Sequence, residues 1–133
     1  DMKLDNIKIV SEFASNLPPI LADANQLQQI FLNLINNARW AVKAKPDATI
    51  SVKTYASSFD KTVNIEISDN GCGIDKEHLK RLFEPFFTTK KPGEGTGLGL
   101  SICYGIIKEH RGTVMVNSEV GLGTTFKITF PQV

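Results

Sequence analysis

From Ala24 to Val42 the chain carries the stretch that most narrows what it can become. Leu27, Ile30, Phe31, Leu34, Ile35, Ala38, Ala41 and Val42 recur at steps of three and four residues, which winds them into one apolar stripe along a long helix. Asp23 stands where that helix needs an N-cap. Strand-like segments surround it. Ile7 to Val10 begins a short strand, and Leu17-Pro18-Pro19-Ile20 then interrupts regular structure. Thr49 to Tyr55 and Thr62 to Ser68 read as a hairpin turning at 57–61, with Val63, Ile65 and Ile67 on one face. After Asn70-Gly71-Cys72-Gly73, Asp75 caps a short helix carrying Leu79, Leu82 and Phe83, which Phe83-Glu84-Pro85 ends. A second long helix runs from about Leu98 to His110. Val114 and Val116 mark a strand, Gly121-Leu122-Gly123 a turn, and Phe126, Ile128 and Phe130 the inward face of the last strand.

This order predicts an α/β (α+β) two-layer sandwich: a mixed, largely antiparallel sheet of about five strands, covered on one face by about three helices. Repeating strand–helix–strand units of a doubly wound sheet do not fit it. The 133 residues make one domain, with 41% hydrophobic and 22% charged content enough for a core, and Asp1 to Asn6 reads as a connector. A net charge of +1 lacks the field expected of a nucleic-acid binder. No apolar run is long enough to cross a bilayer and no leader pattern opens the chain, so the domain is expected to be cytoplasmic. Cys72 and Cys103 have no metal-ligand spacing and read as reduced thiols.

Three features exceed what packing requires. In Gly95-Thr96-Gly97-Leu98-Gly99-Leu100 the alternate glycines let backbone N–H groups approach a ligand, and the helix that follows aims its N-terminus at the same place. Such a loop suits phosphate, although glycine-rich turns also serve helix packing. Asn33, Asn36 and Asn37 sit mid-helix despite poor helix propensity. Asn33 and Asn37 project at about 240° and about 280°, beside the apolar stripe, whereas Asn36 projects outward at about 180°. The first two could meet a hard cation or phosphate, or bond locally at the surface. Asp69 continues the inward face of Val63, Ile65 and Ile67, where a carboxylate needs a donor. Either its own turn backbone or a ligand amino group satisfies it. Residues 84–96 form a long link with the composition of a lid.

Together Asn33-Leu34-Ile35-Asn36-Asn37-Ala38, Asp69-Asn70-Gly71-Cys72-Gly73-Ile74, Phe83-Glu84-Pro85-Phe86-Phe87-Thr88-Thr89-Lys90, Gly95-Thr96-Gly97-Leu98-Gly99-Leu100 and Gly121-Leu122-Gly123-Thr124 resemble, in order, the asparagine, first glycine, phenylalanine, second glycine and third glycine boxes of bacterial sensor histidine kinases. The resemblance covers essentially the whole chain. It implies the catalytic and ATP-binding domain with the Bergerat fold shared with gyrase, Hsp90 and MutL, and the FFTTK run looks most like the nitrogen-regulatory subtype.

What the resemblance implies is specific. Asp69 takes the adenine amino group, helped through water by Thr124; Gly71 and Gly73 admit the base and Ile74 packs near it. Asn37 ligates Mg²⁺ and Asn33 lies by the phosphates of ATP. Gly95, Thr96, Gly97, Leu98, Gly99 and Leu100 cradle the phosphate chain; Lys90 either contacts phosphate or is solvated. Phe83, Phe86 and Phe87 anchor the lid. Two positions depart from the family pattern. Trp40 stands where a basic phosphate contact is common, with Arg39 and Lys43 projecting elsewhere, and Arg111 follows His110 where many relatives have glycine.

Relatives that hydrolyse ATP carry a glutamate base where this chain has Asn33, and an amide is no base. An ATP-driven clamp is therefore disfavoured, and a serine kinase of the anti-sigma type is the other alternative. His78 reads as a surface residue and His110 as a cationic helix C-cap, which leaves neither base nor nucleophile in the chain. The implied activity is an ATP-dependent protein-histidine kinase. Its acceptor histidine belongs to a dimerisation domain N-terminal to residue 1, and a response regulator receiver domain takes the phosphoryl group next. The domain is expected to be monomeric and the full-length protein, soluble or membrane-anchored, homodimeric.

Overall fold

The computed structural model describes residues 2–4, 6–85, 87 and 98–133. Strands β1 (Met2–Leu4), β2 (Ile7–Phe13), β3 (Thr49–Ser57), β4 (Thr62–Asp69), β5 (Thr113–Glu119) and β6 (Gly123–Pro131) form one sheet in the order β1-β2-β3-β4-β6-β5. Only β2 and β3 run parallel; every other neighbouring pair is antiparallel. Helix α1 (Ala24–Ala41) makes the crossover between the parallel strands, and α2 (Lys76–Leu79) and α3 (Gly99–Glu109) follow β4. The mixed sandwich expected from the sequence is the one found.

The apolar stripe faces the sheet. Ile30 and Leu34 of α1, Cys103, Ile106 and Ile107 of α3, and Leu82 pack with Ile65 and Ile67 of β4 and Phe126, Ile128 and Phe130 of β6. Towards the end of α1, Ala38 and Val42 meet Ile7, Ala48 and Ile50 in a second cluster. Full burial of each large side chain stabilises the fold by roughly 1.5–3 kcal/mol relative to exposure. Asp23 caps α1 by accepting from the Gln26 N–H at 3.1 Å, and Asp75 caps α2 by accepting from the His78 N–H at 2.9 Å.

Two boundaries differ from expectation. Met2–Leu4, read as connector, pairs with β2 as a sixth strand, Met2 opposite Ile9 and Leu4 opposite Ile7. A three-residue edge strand is held by backbone bonds and needs no apolar run, so composition does not announce it. Helix α2 ends at Leu79 rather than near Phe83, because the chain tightens into bonds three residues apart: Arg81 N–H to His78 O, Leu82 N–H to Leu79 O and Glu84 N–H to Arg81 O. Both cysteines are free; burial pushes the Cys103 thiol up to about 11, against a lowering contact from Asn33. Among the described residues no helix is long and apolar enough to cross a membrane.

Candidate functional site

Strand β4 brings Asp69 to the helix-covered face at its C-terminal end. The carboxyl is half-buried, and desolvation lifts its pKa above the ordinary value while the backbone N–H groups of Gly71 and Thr124 pull it down. Gly71 N–H donates to Asp69 Oδ1 at 2.9 Å. The turn backbone therefore takes one bond and leaves further acceptor capacity on the carboxylate. Asn70 fastens the strand exit, accepting from Thr49 N–H at 2.8 Å and donating to Asp47 O at 2.9 Å.

The loop after Asp69 is threaded between two walls. A Cβ at Gly71 would come within 2.5 Å of Ala41 O, and one at Gly73, where φ is +77°, within 2.2 Å of Glu119 O. These two glycines are thus demanded by the packing of the chain on itself, whatever they admit besides. Cys72 N–H donates to Ala41 O and Gly121 N–H to Cys72 O, pinning the loop to α1 on one side and to the β5–β6 turn on the other.

Thr124 lies directly opposite Asp69 across β4 and β6, and Ser118 directly opposite Thr124 across β6 and β5. The three form a polar row at the edge of an apolar face, and Thr124 is only 5% exposed. Ser118 Oγ lies 2.7 Å from Thr124 Oγ1, accepts from Ile74 N–H at 2.8 Å and donates to Gly123 O at 3.1 Å. Sequence reasoning passed over Ser118. Its signal was the alternation of β5, which sets it on the inward side with Val114 and Val116.

The other end of the site is the start of α3. Leu98 occupies the N-cap position without a side-chain cap, so the first N–H groups of the helix have no acceptor within it. Asn33 Nδ2 donates to Gly99 O at 3.1 Å and Asn33 Oδ1 accepts from Gln29 Nε2 at 3.1 Å. Among the described residues, a Cβ on Gly99 would come nearest to the Asn33 amide, at ordinary contact distance, 3.8 Å. Asn33 and Asn37 are half-buried and Asn36 is exposed, as their helical angles predict. Helix α1 connects the two ends: Asn33 touches Gly99, and Ala41, eight residues or about 12 Å further on, abuts Gly71, with Asn37 between.

The remaining expected residues divide clearly. Leu98, Gly99, Ile74 and Thr124 lie where described above, and Leu100, the second residue of α3, packs against the core; Lys90, Gly95, Thr96 and Gly97 lie outside the described residues, as does Phe86. Phe83 stacks obliquely on Tyr104 at 5.3 Å, and Phe87 meets the His78 ring at 5.6 Å and the Arg81 guanidinium at 4.6 Å. Trp40 carries the Lys43 ammonium 4.5 Å over its ring, and with Arg39, Lys45 and Asn36 it lines a separate cleft of about 530 Å³ that neither Asn33 nor Asn37 reaches.

His78 is a surface residue paired with Asp75 at 2.8 Å. His110 does cap α3, its Nδ1 lying 2.8 Å from Ile106 O, but its Nε2 accepts from Asp23 N–H at 3.1 Å. That pair of bonds needs a neutral ring protonated at Nδ1, so the cationic cap expected from the helix dipole is corrected.

The candidate site thus joins a half-buried carboxylate at the edge of a mixed sheet to the start of α3 beside the amides of Asn33 and Asn37. The chain belongs to the family of histidine kinase-, DNA gyrase B- and HSP90-like ATPases, whose model matches residues 22–133. It is 42% identical over 128 residues to sporulation kinase E of Bacillus subtilis strain 168, covering 96% of this chain and 17% of that protein. It is 42% identical over 125 residues to the signal transduction histidine-protein kinase AtoS of Escherichia coli K12, covering 94% of this chain and 20% of that protein. The chain thus spans a fifth or less of these relatives. The nucleotide-free catalytic domain of the histidine kinase ThkA superposes with a TM-score of 0.81 at 30% identity, over 96% of this chain and 80% of that one. Full-length ShkA in complex with AMPPNP superposes with a TM-score of 0.81 at 32% identity, over 97% of this chain and 26% of that one.

Proposed function

We propose that this chain binds Mg·ATP between Asp69 and the start of α3 and donates the γ-phosphoryl group to a histidine on a separate dimerisation and phosphoacceptor domain. It is then the kinase domain of a two-component system, with a receiver domain as the later acceptor. The observation that carries the reading is the pairing of opposite recognition chemistries along α1: an acceptor-rich edge at Asp69 and Thr124 beyond the loop that abuts Ala41, and N–H groups beside two amides at the Asn33 end. The first suits the amino edge of a base and the second a chain of phosphates, the two ends of a nucleotide. The complex of ShkA with AMPPNP supports the same ligand class.

In this reading the residues have distinct tasks. Asp69 and Thr124 orient the base, Ile74 packs against it, and the Gly71–Gly73 backbone lies alongside. The N–H groups of Gly99 and Leu100 take phosphate charge, with Asn33 fixing the α3 terminus where it stands. Lys90 and Gly95 to Gly97 carry their phosphate assignments from the sequence alone. Among the described residues no three His, Cys, Asp or Glu side chains cluster as metal ligands. Asn37 is the protein amide that would hold Mg²⁺, a hard ion that takes few protein oxygens alongside phosphate and water. Bound there, Mg²⁺ would neutralise charge on the phosphates.

Transfer needs no base from this chain. The lone pair of the acceptor imidazole forms the bond to the γ-phosphorus as the bond to the β,γ-bridging oxygen breaks and ADP leaves. Both hydrogen-bonding ends of the Asn33 amide are engaged and neither can accept a proton at neutral pH, so Asn33 offers water no base. The test is incubation with γ-labelled ATP and the dimerisation domain of the same protein. Acid-labile, base-stable label on that domain is expected. Label released only as inorganic phosphate, or fixed on a serine, would contradict the proposal.

A further inference from the structure

Ser118 has one hydroxyl proton and two lone pairs, and the polar row uses all three. Gly123 O is a carbonyl and can only accept, so the bond at 3.1 Å consumes the Ser118 proton. Ile74 N–H fills one lone pair at 2.8 Å. The contact of 2.7 Å between Ser118 Oγ and Thr124 Oγ1 then has a single direction: Thr124 donates. With its proton spent, the Thr124 hydroxyl turns only lone pairs towards the side of the row where Asp69, directly opposite, presents a carboxylate.

We infer that Ser118 is a specificity-determining residue: by taking the Thr124 proton it makes the Asp69–Thr124 edge an acceptor-only surface, which reads a primary amino group on a purine and rejects a carbonyl at the same position. The inference rests on the proposed placement of the base at Asp69. Asp69 alone attracts the amino group, but a Thr124 hydroxyl free to rotate could donate to a carbonyl oxygen and soften the rejection. Ser118 removes that option. It also holds Ile74 N–H, so the loop that flanks the base and the proton direction of the row depend on the same oxygen.

ATP and inosine triphosphate differ at this position, amino against carbonyl, and calorimetric titration of the chain with each gives the preference ratio. Ser118→Ala is expected to lower the ATP-over-inosine ratio about tenfold, the value of roughly one hydrogen bond in a desolvated site, and Ser118→Thr to restore most of it. On a Thr124→Val background Ser118→Ala is expected to change the ratio no further. A ratio unmoved by Ser118→Ala while ATP binding persists would overturn the inference alone, as would an equal drop on the Thr124→Val background. Thr124→Val keeps size and strand preference, so it carries the test should Ser118→Ala fail to fold: it is expected to narrow the ratio, and an unchanged ratio overturns the inference. Absence of ATP binding by the parent chain would overturn the nucleotide assignment and this inference together.

Discussion

Arg111 holds φ at +60°, in the left-handed region that side chains other than glycine enter at a cost. Its N–H donates to Lys108 O and the next N–H, of Gly112, to Ile107 O, the two bonds of a Schellman ending in which this position is ordinarily glycine. Arg111→Gly is therefore expected to stabilise the fold by about 1 kcal/mol, read as a raised urea midpoint. Gly112 allows no such change, since a Cβ there would meet Thr129 O at 2.8 Å. Asp69 illustrates the opposite balance. Burial raises its pKa, so between the ordinary value near 3.8 and the raised one the folded chain binds more protons than the unfolded chain. Stability falls as pH rises through that window, and the penalty persists at neutral pH. Asp69→Asn is expected to raise the melting temperature of the ligand-free chain at pH 7 while lowering ATP affinity at least tenfold. A variant less stable than the parent would contradict that account of the carboxylate.

Helices α1 and α3 run antiparallel, and both ends of α3 are clasped to α1, its start by Asn33 on Gly99 O and its end by His110 under the N–H of the α1 cap Asp23. Between the clasps lie the fully buried Ile30 and Ile107, and the equally buried Leu34 stands next to Asn33. His110→Ala removes the partner of the Asp23 N–H and one bond to Ile106 O, and is expected to cost about 1–3 kcal/mol in chemical denaturation. Leu34→Ala is expected to cost about 2–5 kcal/mol, because a cavity at the centre of the stripe cannot collapse between two anchored helices. Period and caps made these elements legible in the sequence: the stripe from Leu27 to Val42, Asp23, Asp75, and the alternation of β4 and β6 all read through to the structure. The clasps were not legible. Asp23 and His110 are far apart in the chain, and nothing local tells a helix-capping histidine that it will be neutral. Nor does composition reveal β1, which is held by backbone pairing.

Across the whole molecule, α1 sets the distance between the two ends of the candidate site, touching Gly99 through Asn33 and the Gly71 loop through Ala41. The candidate site was readable where a residue type was locally costly: asparagines inside a helix, a carboxylate on an inward strand face, glycines before a helix. Ser118 carried no such cost, since a serine on a strand is ordinary until its three partners converge, and Gly71 and Gly73 were readable as constrained without the reason, which lies in Ala41 and Glu119. In the proposed reading, one face of this sheet, between Asp69 and the start of α3, holds ATP. Its most direct test is calorimetric titration of the chain with ATP and Mg²⁺ beside Asp69→Asn. Saturable one-to-one binding in the parent that weakens at least tenfold in the variant is expected. Equal binding by the two would contradict the adenine assignment, and no binding by a folded parent would contradict the ATP site itself.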